Sequence, residues 1–440
     1  MKLFQQMLVA SAAVSLITPL AAQASDVINL EGMNSYNCSK KSSAKRFDSK
    51  TFINQVNEDL ANLKGRVDGL EAQQNNFEAG GFSDTTSLSG KAVFVIGAID
   101  HPETDANATD GIENESIQAQ YQYTMDLNTS FTGDDNLYVR IRTGNGEDSA
   151  EPFGETTYGT YLVANSDKYS DKLAVDKIWY EFPLGENNTF WVGPKIENYY
   201  MHATAPSIYK PVLKQFTLGG NGAAYGASTK TGAGWAFKAD NGFAVSSNVV
   251  SGNNGLLTNQ QPTSWATQVG FTKPQYSASL MVNQKYNGWE DSYYSTSKGH
   301  RRLADGATST LQTANSTNYG LRAWWRPLET GTATPSITAG YDLSTIDGAN
   351  VNGTIDETDA WFVGLNWSDM FQADDKIGLA FGQPQTREDE TVDPFAWEAY
   401  YTFQVNDSVS VTPAIFGGSD RAGTANEDMT GAVIQTTFKF

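Results

Sequence analysis

At 440 residues the chain has room for two or three ordinary domains or for one large all-β unit. Its net charge of −20 argues on electrostatic grounds against nucleic acid as a partner. Only 18% of the residues are charged, while 12% are aromatic and 40 are glycine, a mixture that favours many strands and tight turns over solvated helices.

The first predicted element is an export signal. Lys2 precedes an apolar run over residues 7–20, and Ala-Gln-Ala ends at Ala24, so residues 1–24 read as a signal peptide cleaved after Ala24. The run is short for a membrane anchor, and a small-residue cleavage site follows it. The exported chain has one cysteine, Cys38, which excludes an intrachain disulfide and reads as a bland thiol. Residues 25–50 form a polar, solvated segment with a basic patch, SKKSSAKR.

Residues 51–79 change character. Ile53, Leu60 and Val67 fall at the a positions of a heptad repeat, and Val56, Leu63 and Leu70 fall at d. Gln74 and Phe77 complete the seam. In this register Asp59 pairs with Lys64 and Arg66 with Glu71 as g-to-e partners of opposite sign, which suits a parallel bundle of identical chains. Gly65 and Gly69 cost the helix about 1 kcal/mol each but sit on its outer face. The expectation is an oligomeric coiled coil about 40 Å long; the alternative is one amphipathic helix packed on its own chain.

From residue 86 to the end the period becomes two. Ile117, Ala119, Tyr121, Tyr123, Met125 and Leu127 alternate with Gln118, Gln120, Gln122, Thr124 and Asp126. Trp361, Val363, Leu365 and Trp367 alternate with Phe362, Gly364, Asn366 and Ser368. Beyond residue 24 no stretch is apolar enough for a transmembrane helix, and the polar faces are too polar for a sandwich core. The fold class predicted is an all-β transmembrane barrel, apolar face outward and aromatic at both interfaces. Seven short turns, among them FTGDDN, PLGENN, KADNG and SDMFQADD, alternate with eight longer polar loops, giving about 16 antiparallel strands. An extra strand-like piece, AAYGAS at 223–228, goes to the third long loop, because an odd count would split the termini between opposite sides.

Enzyme constellations are weak. His101, His202 and His300 lie far apart in predicted loops, and no nucleophile-elbow, zinc or Cys/His pattern occurs, so neither enzyme, metal nor cofactor is expected. The informative charges lie on the inner face. If Leu137, Val139 and Ile141 meet lipid, Arg140 and Arg142 face the lumen, because on the lipid face each would cost about 2–4 kcal/mol near the midplane. Alternation likewise predicts Lys195 and Arg322 as lumen-lining. The third long loop, NYYMHATAPSIYKPVLKQFTLGG, carries Lys210 and Lys214, no Asp or Glu, and many apolar residues including Tyr209 and Phe216. A loop so apolar is expected to fold inward and narrow the pore, its lysines favouring anions or neutral polar solutes. Alternatively these cations pair with lumen acids such as Asp176, Glu181 and Glu398.

The junction GGFSDTTSLSGKAVFVIGA, the stretch FWVGPKIENYY and the terminal FKF carry a resemblance. With the export signal and coiled coil, the chain resembles cyanobacterial outer-membrane porins, a group similar to the OprB carbohydrate-porin family and often labelled iron-uptake porins. The resemblance implies homotrimers in the cell outer membrane, in contact with its lipid, that pass small solutes and ions by passive diffusion. It also implies a cell-wall-binding domain before the coiled coil, where this sequence has only about 25 residues, and a terminal aromatic, here Phe440, read by the barrel-assembly machinery. A channel specific for carbohydrate or iron complexes, with Tyr199, Tyr200, Tyr209 and Phe216 as an aromatic track, is the main alternative. A wall-tethering protein and an exported soluble β-sandwich are others.

Overall fold

In the computed structural model the described residues are 64, 85–100, 116–146, 153, 162–164, 171–220, 229–253, 256–259, 261–287, 315–347, 357–387, 390–420 and 425–440. The export signal and the heptad positions Ile53 to Leu70 lie outside them, as do AAYGAS, His101 and His300; Lys64 is helical and exposed. Two compact units divide the chain, Met1–Glu78 and Ala79–Phe440, and the second is the barrel.

Sixteen antiparallel strands close on themselves in sequence order, with β1 also paired to β16. They are β1 (Thr86–Asp100), β2 (Gln118–Thr129), β3 (Asn136–Gly144), β4 (Ala174–Pro183), β5 (Asn188–Glu197), β6 (Thr229–Lys238), β7 (Phe243–Ser251) and β8 (Thr263–Thr272). The second half runs β9 (Tyr276–Tyr286), β10 (Asn315–Trp325), β11 (Ser336–Asp347), β12 (Glu357–Ser368), β13 (Lys376–Arg387), β14 (Phe395–Asn406), β15 (Val409–Ser419) and β16 (Met429–Lys439). Most run nine to twelve residues, the length a tilted strand needs to cross the hydrocarbon core. The short turns and long loops fall where predicted, so closure leaves no unpaired strand edge.

Two-residue alternation places the side chains. Along β2, Gln120, Gln122 and Thr124 are buried on the inner face. Along β10, Tyr319 and Leu321 are exposed outward while Asn318 and Arg322 are buried inward. The terminal strand follows the same rule: Phe438 packs against Phe94 on the outer face with ring centroids 5.3 Å apart. Phe440 and Gly90 exchange both main-chain hydrogen bonds, at 2.9 and 3.1 Å. The Phe440 ring stacks on Tyr123 and lies over Gly90, where any added Cβ would meet it at 2.6 Å.

Two of the short turns share a device. Asp135 accepts from the N–H groups of Phe131 and Thr132 and from Tyr180 Oη at 2.6 Å. Asp375 accepts from the N–H groups of Met370, Phe371 and Gln372 and from Tyr401 Oη. Both turns expose a phenylalanine, Phe131 and Phe371, beside the donor tyrosine.

The regular alternation breaks between β3 and β5. Register shifts occur at Arg140/Ile141, at Ile178/Tyr180 and at Gly193/Ile196. Each bulge exchanges the inward and outward sets downstream of it.

Candidate pore constriction

The connection after β5 turns into the lumen. Its first helical turn, Asn198–Met201, buries Met201 against Ile196, Trp179 and Val250 of the wall. Thr204 then exchanges two hydrogen bonds with Gln268 of β8, both 2.9 Å, and Ala205 O accepts from Trp324 Nε1 of β10 at 3.1 Å. Further on, Tyr209 and Phe216 pack on Phe362 of β12. The segment over 198–220 thus leaves one wall, crosses the strands between and is tied to the wall opposite in sequence order.

That far wall binds the loop through one carboxylate. Glu398 of β14 is fully buried. It accepts from Tyr209 Oη at 2.8 Å, from Val212 N at 3.2 Å and from Leu213 N at 2.7 Å. Burial pushes the Tyr209 phenol far up, with the Glu398 charge adding to it, so the hydroxyl stays protonated and donates. A second tie comes from Arg322 of β10. Its Nη2 donates to both oxygens of Asp342 at 2.8 and 3.0 Å, and its Nε donates to Leu218 O at 2.7 Å. Leu218 sits in the left-handed region, φ 58°, at a cost of about 1–2 kcal/mol that this bond helps to offset. Gly340 leaves the space for the loop, since a Cβ there would come within 1.8 Å of Gly219 O.

A second loop joins the first. Leu162 forms an isolated bridge with Leu213, and Val163 N donates to Val212 O at 2.9 Å. Phe153 and Leu162 are completely buried in one cluster with Val93, Tyr209, Phe216 and Phe362. Phe153, Leu162, Val163 and Ala164 of the β3–β4 connection are therefore part of the inward structure, which sequence reasoning missed. The apolar YLVA at 161–164, inside an otherwise polar loop, was its signal.

The wall nearest the chain ends differs in chemistry. A cavity of about 1030 Å³ lies between it and the loop. Among the described residues, seven cations line the cavity (Lys91, Arg140, Arg142, Lys177, Lys210, Lys214 and Lys238) against two carboxylates, Asp126 and Glu197. Arg140 Nε meets Asp126 Oδ1 at 2.7 Å, and Arg140 Nη2 donates to Tyr200 Oη at 3.1 Å. Lys177 is paired with Glu197 and lies 3.8 Å from Asp176. Both cations lie over aromatic rings, Arg140 over Tyr138 and Tyr200, and Lys177 over Tyr199 and Tyr200. His202 adds no charge at neutral pH, because burial pushes its imidazole down to about 3.

The predicted site residues separate under this geometry. Arg140, Arg142, Lys210 and Lys214 line the cavity. Lys195 does not. The bulge before Ile196 places it opposite outward-facing Ile178, and its ammonium donates to Val175 O at 2.5 Å, while Ile196 takes the buried inner position. Arg322 points inward but is only 2% exposed, covered by the loop it holds, so it does not meet pore water. The aromatic track divides likewise. Tyr199 and Tyr200 stack 5.0 Å apart beside the cavity, with Tyr200 41% exposed, whereas Tyr209 and Phe216 are each 3% exposed against the far wall. Of the candidate lumen acids, Asp176 pairs with Lys177, Glu181 accepts from Trp191 Nε1, and Glu398 holds the loop backbone.

Comparison with known proteins agrees with this architecture. The family described as Carbohydrate-selective porin, OprB family, matches residues 48–440. An uncharacterised protein of Nostoc sp. is 24% identical over 425 residues, covering 87% of this chain and 70% of the relative. One of Synechocystis sp. is 23% identical over 406 residues, covering 81% and 69%. Among solved structures, OprB of Pseudomonas putida superposes with a TM-score of 0.57 at 10% identity, covering 84% of this chain and 96% of that one. An anion-selective porin from Comamonas acidovorans superposes with a TM-score of 0.54 at 8% identity, covering 81% and 99%. A match over nearly the whole length, on a closed 16-stranded barrel whose strands alternate lipid-facing and lumen-facing residues, places this chain in the OprB family of outer-membrane porins.

Proposed function

We propose that the protein is a passive diffusion channel for small hydrophilic solutes and inorganic ions, narrowed by the inward segment over 198–220 together with Phe153, Leu162, Val163 and Ala164 and favouring anionic and neutral polar solutes. One observation carries this reading: around the cavity, seven cations face two carboxylates, and the inward segment has no acidic residue to oppose them. A constriction ringed by one sign of charge lowers the barrier for the opposite sign. The whole protein is strongly acidic, so a cationic lumen is a local feature rather than an average. Arg140, Arg142, Lys210 and Lys214 are the proposed selectivity residues, and Lys177, Lys91 and Lys238 join them. Single-channel recording in planar bilayers tests the reading. Ohmic conductance steps unaffected by millimolar sugar are expected; a protein that inserts and produces no steps overturns it.

A carbohydrate-specific channel is the second reading. The stacked Tyr199 and Tyr200 favour it, because a flat aromatic surface beside polar side chains suits a sugar ring. Saturable current block by a neutral oligosaccharide, lost in Tyr200→Ala, is its expected signature. The working form is taken to be a homotrimer, with the heptads of residues 51–79 as a coiled coil preceding a barrel over 86–440. Phe440 is taken as the assembly signal: Phe440→Ala lowers the yield of heat-resistant folded barrel and leaves the conductance of the folded fraction unchanged. Normal folded yield contradicts that role.

A further inference from the structure

The seam where the barrel closes carries a feature that diffusion alone does not require. Lys91 of β1 and Lys439 of β16 stand directly opposite each other. The neighbouring pair, Gly90 and Phe440, exchanges both main-chain hydrogen bonds. Alternation of the ladder therefore makes Lys91–Lys439 a non-hydrogen-bonded pair, the type whose side chains come closest. Both are exposed, and both lie on the lumen side: Lys91 lines the cavity, and Thr437, two residues before Lys439 on the same face, lines it too. Like charges directly opposite on adjacent strands destabilise a sheet.

The register extends the row. Lys91 faces Thr124 of β2, and Thr124 faces Arg142 of β3. The next inward row runs Asp126, Arg140, Lys177, and it holds the cavity's carboxylate on this wall. Asp126 is taken up by Arg140 Nε at 2.7 Å and by Tyr138 Oη at 2.5 Å, and Glu197 is paired with Lys177. Among the described residues, neither Lys91 nor Lys439 makes an ion pair with a carboxylate. Two ammonium groups, a hydroxyl and a guanidinium thus share one cross-strand row, open to the cavity at the short-turn end, which is periplasmic in outer-membrane barrels.

We propose that this row is a binding station for a tetrahedral multivalent oxyanion, with inorganic phosphate as the type ligand, at the periplasmic end of the pore. The proposal rests on the anion-favouring reading of the same lumen and goes beyond it in naming a site and a ligand class. A monovalent halide satisfies one ammonium at a time. A divalent oxyanion places separate oxygens on Lys91, Lys439 and Arg142 and still accepts from the Thr124 hydroxyl. Lys91 and Lys439 are exposed to the lumen, so the affinity is modest, which suits a solute that must leave again.

Chloride current through the full-length protein in planar bilayers is titrated with inorganic phosphate, and the reversal potential in a KCl gradient is read in the same membranes. Phosphate is expected to reduce the chloride current saturably. Lys91→Gln and Lys439→Gln each weaken that block up to about thirty-fold, the factor for losing one charge at ~4 Å from a divalent anion in water, and together they weaken it more. Lys273→Gln, which removes an equal charge from a short turn outside the row, leaves the block unchanged. Thermal unfolding of each variant is measured alongside, and relief of the like-charge pair is expected to leave the single variants at least as stable as the parent. An anion-selective channel that phosphate does not block, or one that phosphate blocks as strongly in both lysine variants as in the parent, overturns the station and leaves the anion reading standing. A cation-selective reversal potential overturns both.

Discussion

The two sides of the lumen do different jobs with opposite chemistry. On the β10–β14 side, buried groups fasten the inward loop: Arg322 with Asp342, Glu398 with three donors, and Phe362 against Tyr209 and Phe216. On the β16–β4 side, cations at Lys91, Arg140, Arg142 and Lys177 face the cavity with few carboxylates among them. A carboxylate on the first side is consumed by backbone N–H groups, so it cannot neutralise the charge on the second. Under the proposed channel function, that separation would let pore width and ion preference be set by different residues.

Breaking the fastening side gives the largest effects. Arg322→Ala leaves Asp342 buried without its partner and frees Leu218, so a loss of about 3–5 kcal/mol is expected in thermal unfolding of the detergent-solubilised barrel. Glu398→Ala strands the N–H groups of Val212 and Leu213 and the Tyr209 hydroxyl, at a cost of about 2–3 kcal/mol. Its conductance rises and becomes noisy as the loop leaves its seat, yet the sign of the reversal potential is unchanged. If Glu398→Ala reverses the selectivity, the division of labour fails.

Changes on the charged side are smaller in energy and act on selectivity. Arg140→Ala removes one of the cavity cations and leaves Asp126 exposed to the lumen, so the reversal potential moves toward zero at nearly constant conductance. Lys195→Ala sharpens the comparison, because its side chain lies on the outer face and should leave the reversal potential where it was.

The smallest effect belongs to the short turns. Asp135 and Asp375 are both held below the usual carboxylate range, Asp135 chiefly by Tyr180 and Asp375 by the Phe371, Met370 and Gln372 N–H groups, which outweigh its burial. A carboxylate depressed in the folded state stabilises above its unfolded value, near 3.8, and the contribution fades as pH falls through the lower folded value. Folded barrel should therefore hold its stability down to about pH 4 and lose it below, less steeply in Asp375→Asn.

The barrel itself was legible because lipid and water impose a period of two on every strand, and because the short turns announce themselves with Gly, Asn and Asp. Arg140 and Arg142 followed from that rule with no pairing information. Lys195 did not, because a bulge leaves no mark in the alternation and one extra residue inverts the inward set. Lys91 and Lys439 sit at opposite ends of the chain, so their meeting exists only in the closed register. The role of Glu398 was hidden for a related reason: a lumen acid beside predicted cations reads as their counter-ion until the loop backbone is seen occupying it. The apolar loop was readable as inward-folding from its composition, but which of its residues would touch water and which would be buried depended on Phe362, Tyr400 and Glu398 of distant strands.

The reversal potential of the unmodified protein in a planar bilayer, under a tenfold KCl gradient, bears most directly on a cationic lumen inside an acidic protein. Chloride carrying more current than potassium is the predicted result. A potential of the opposite sign, with potassium the favoured ion, contradicts the account.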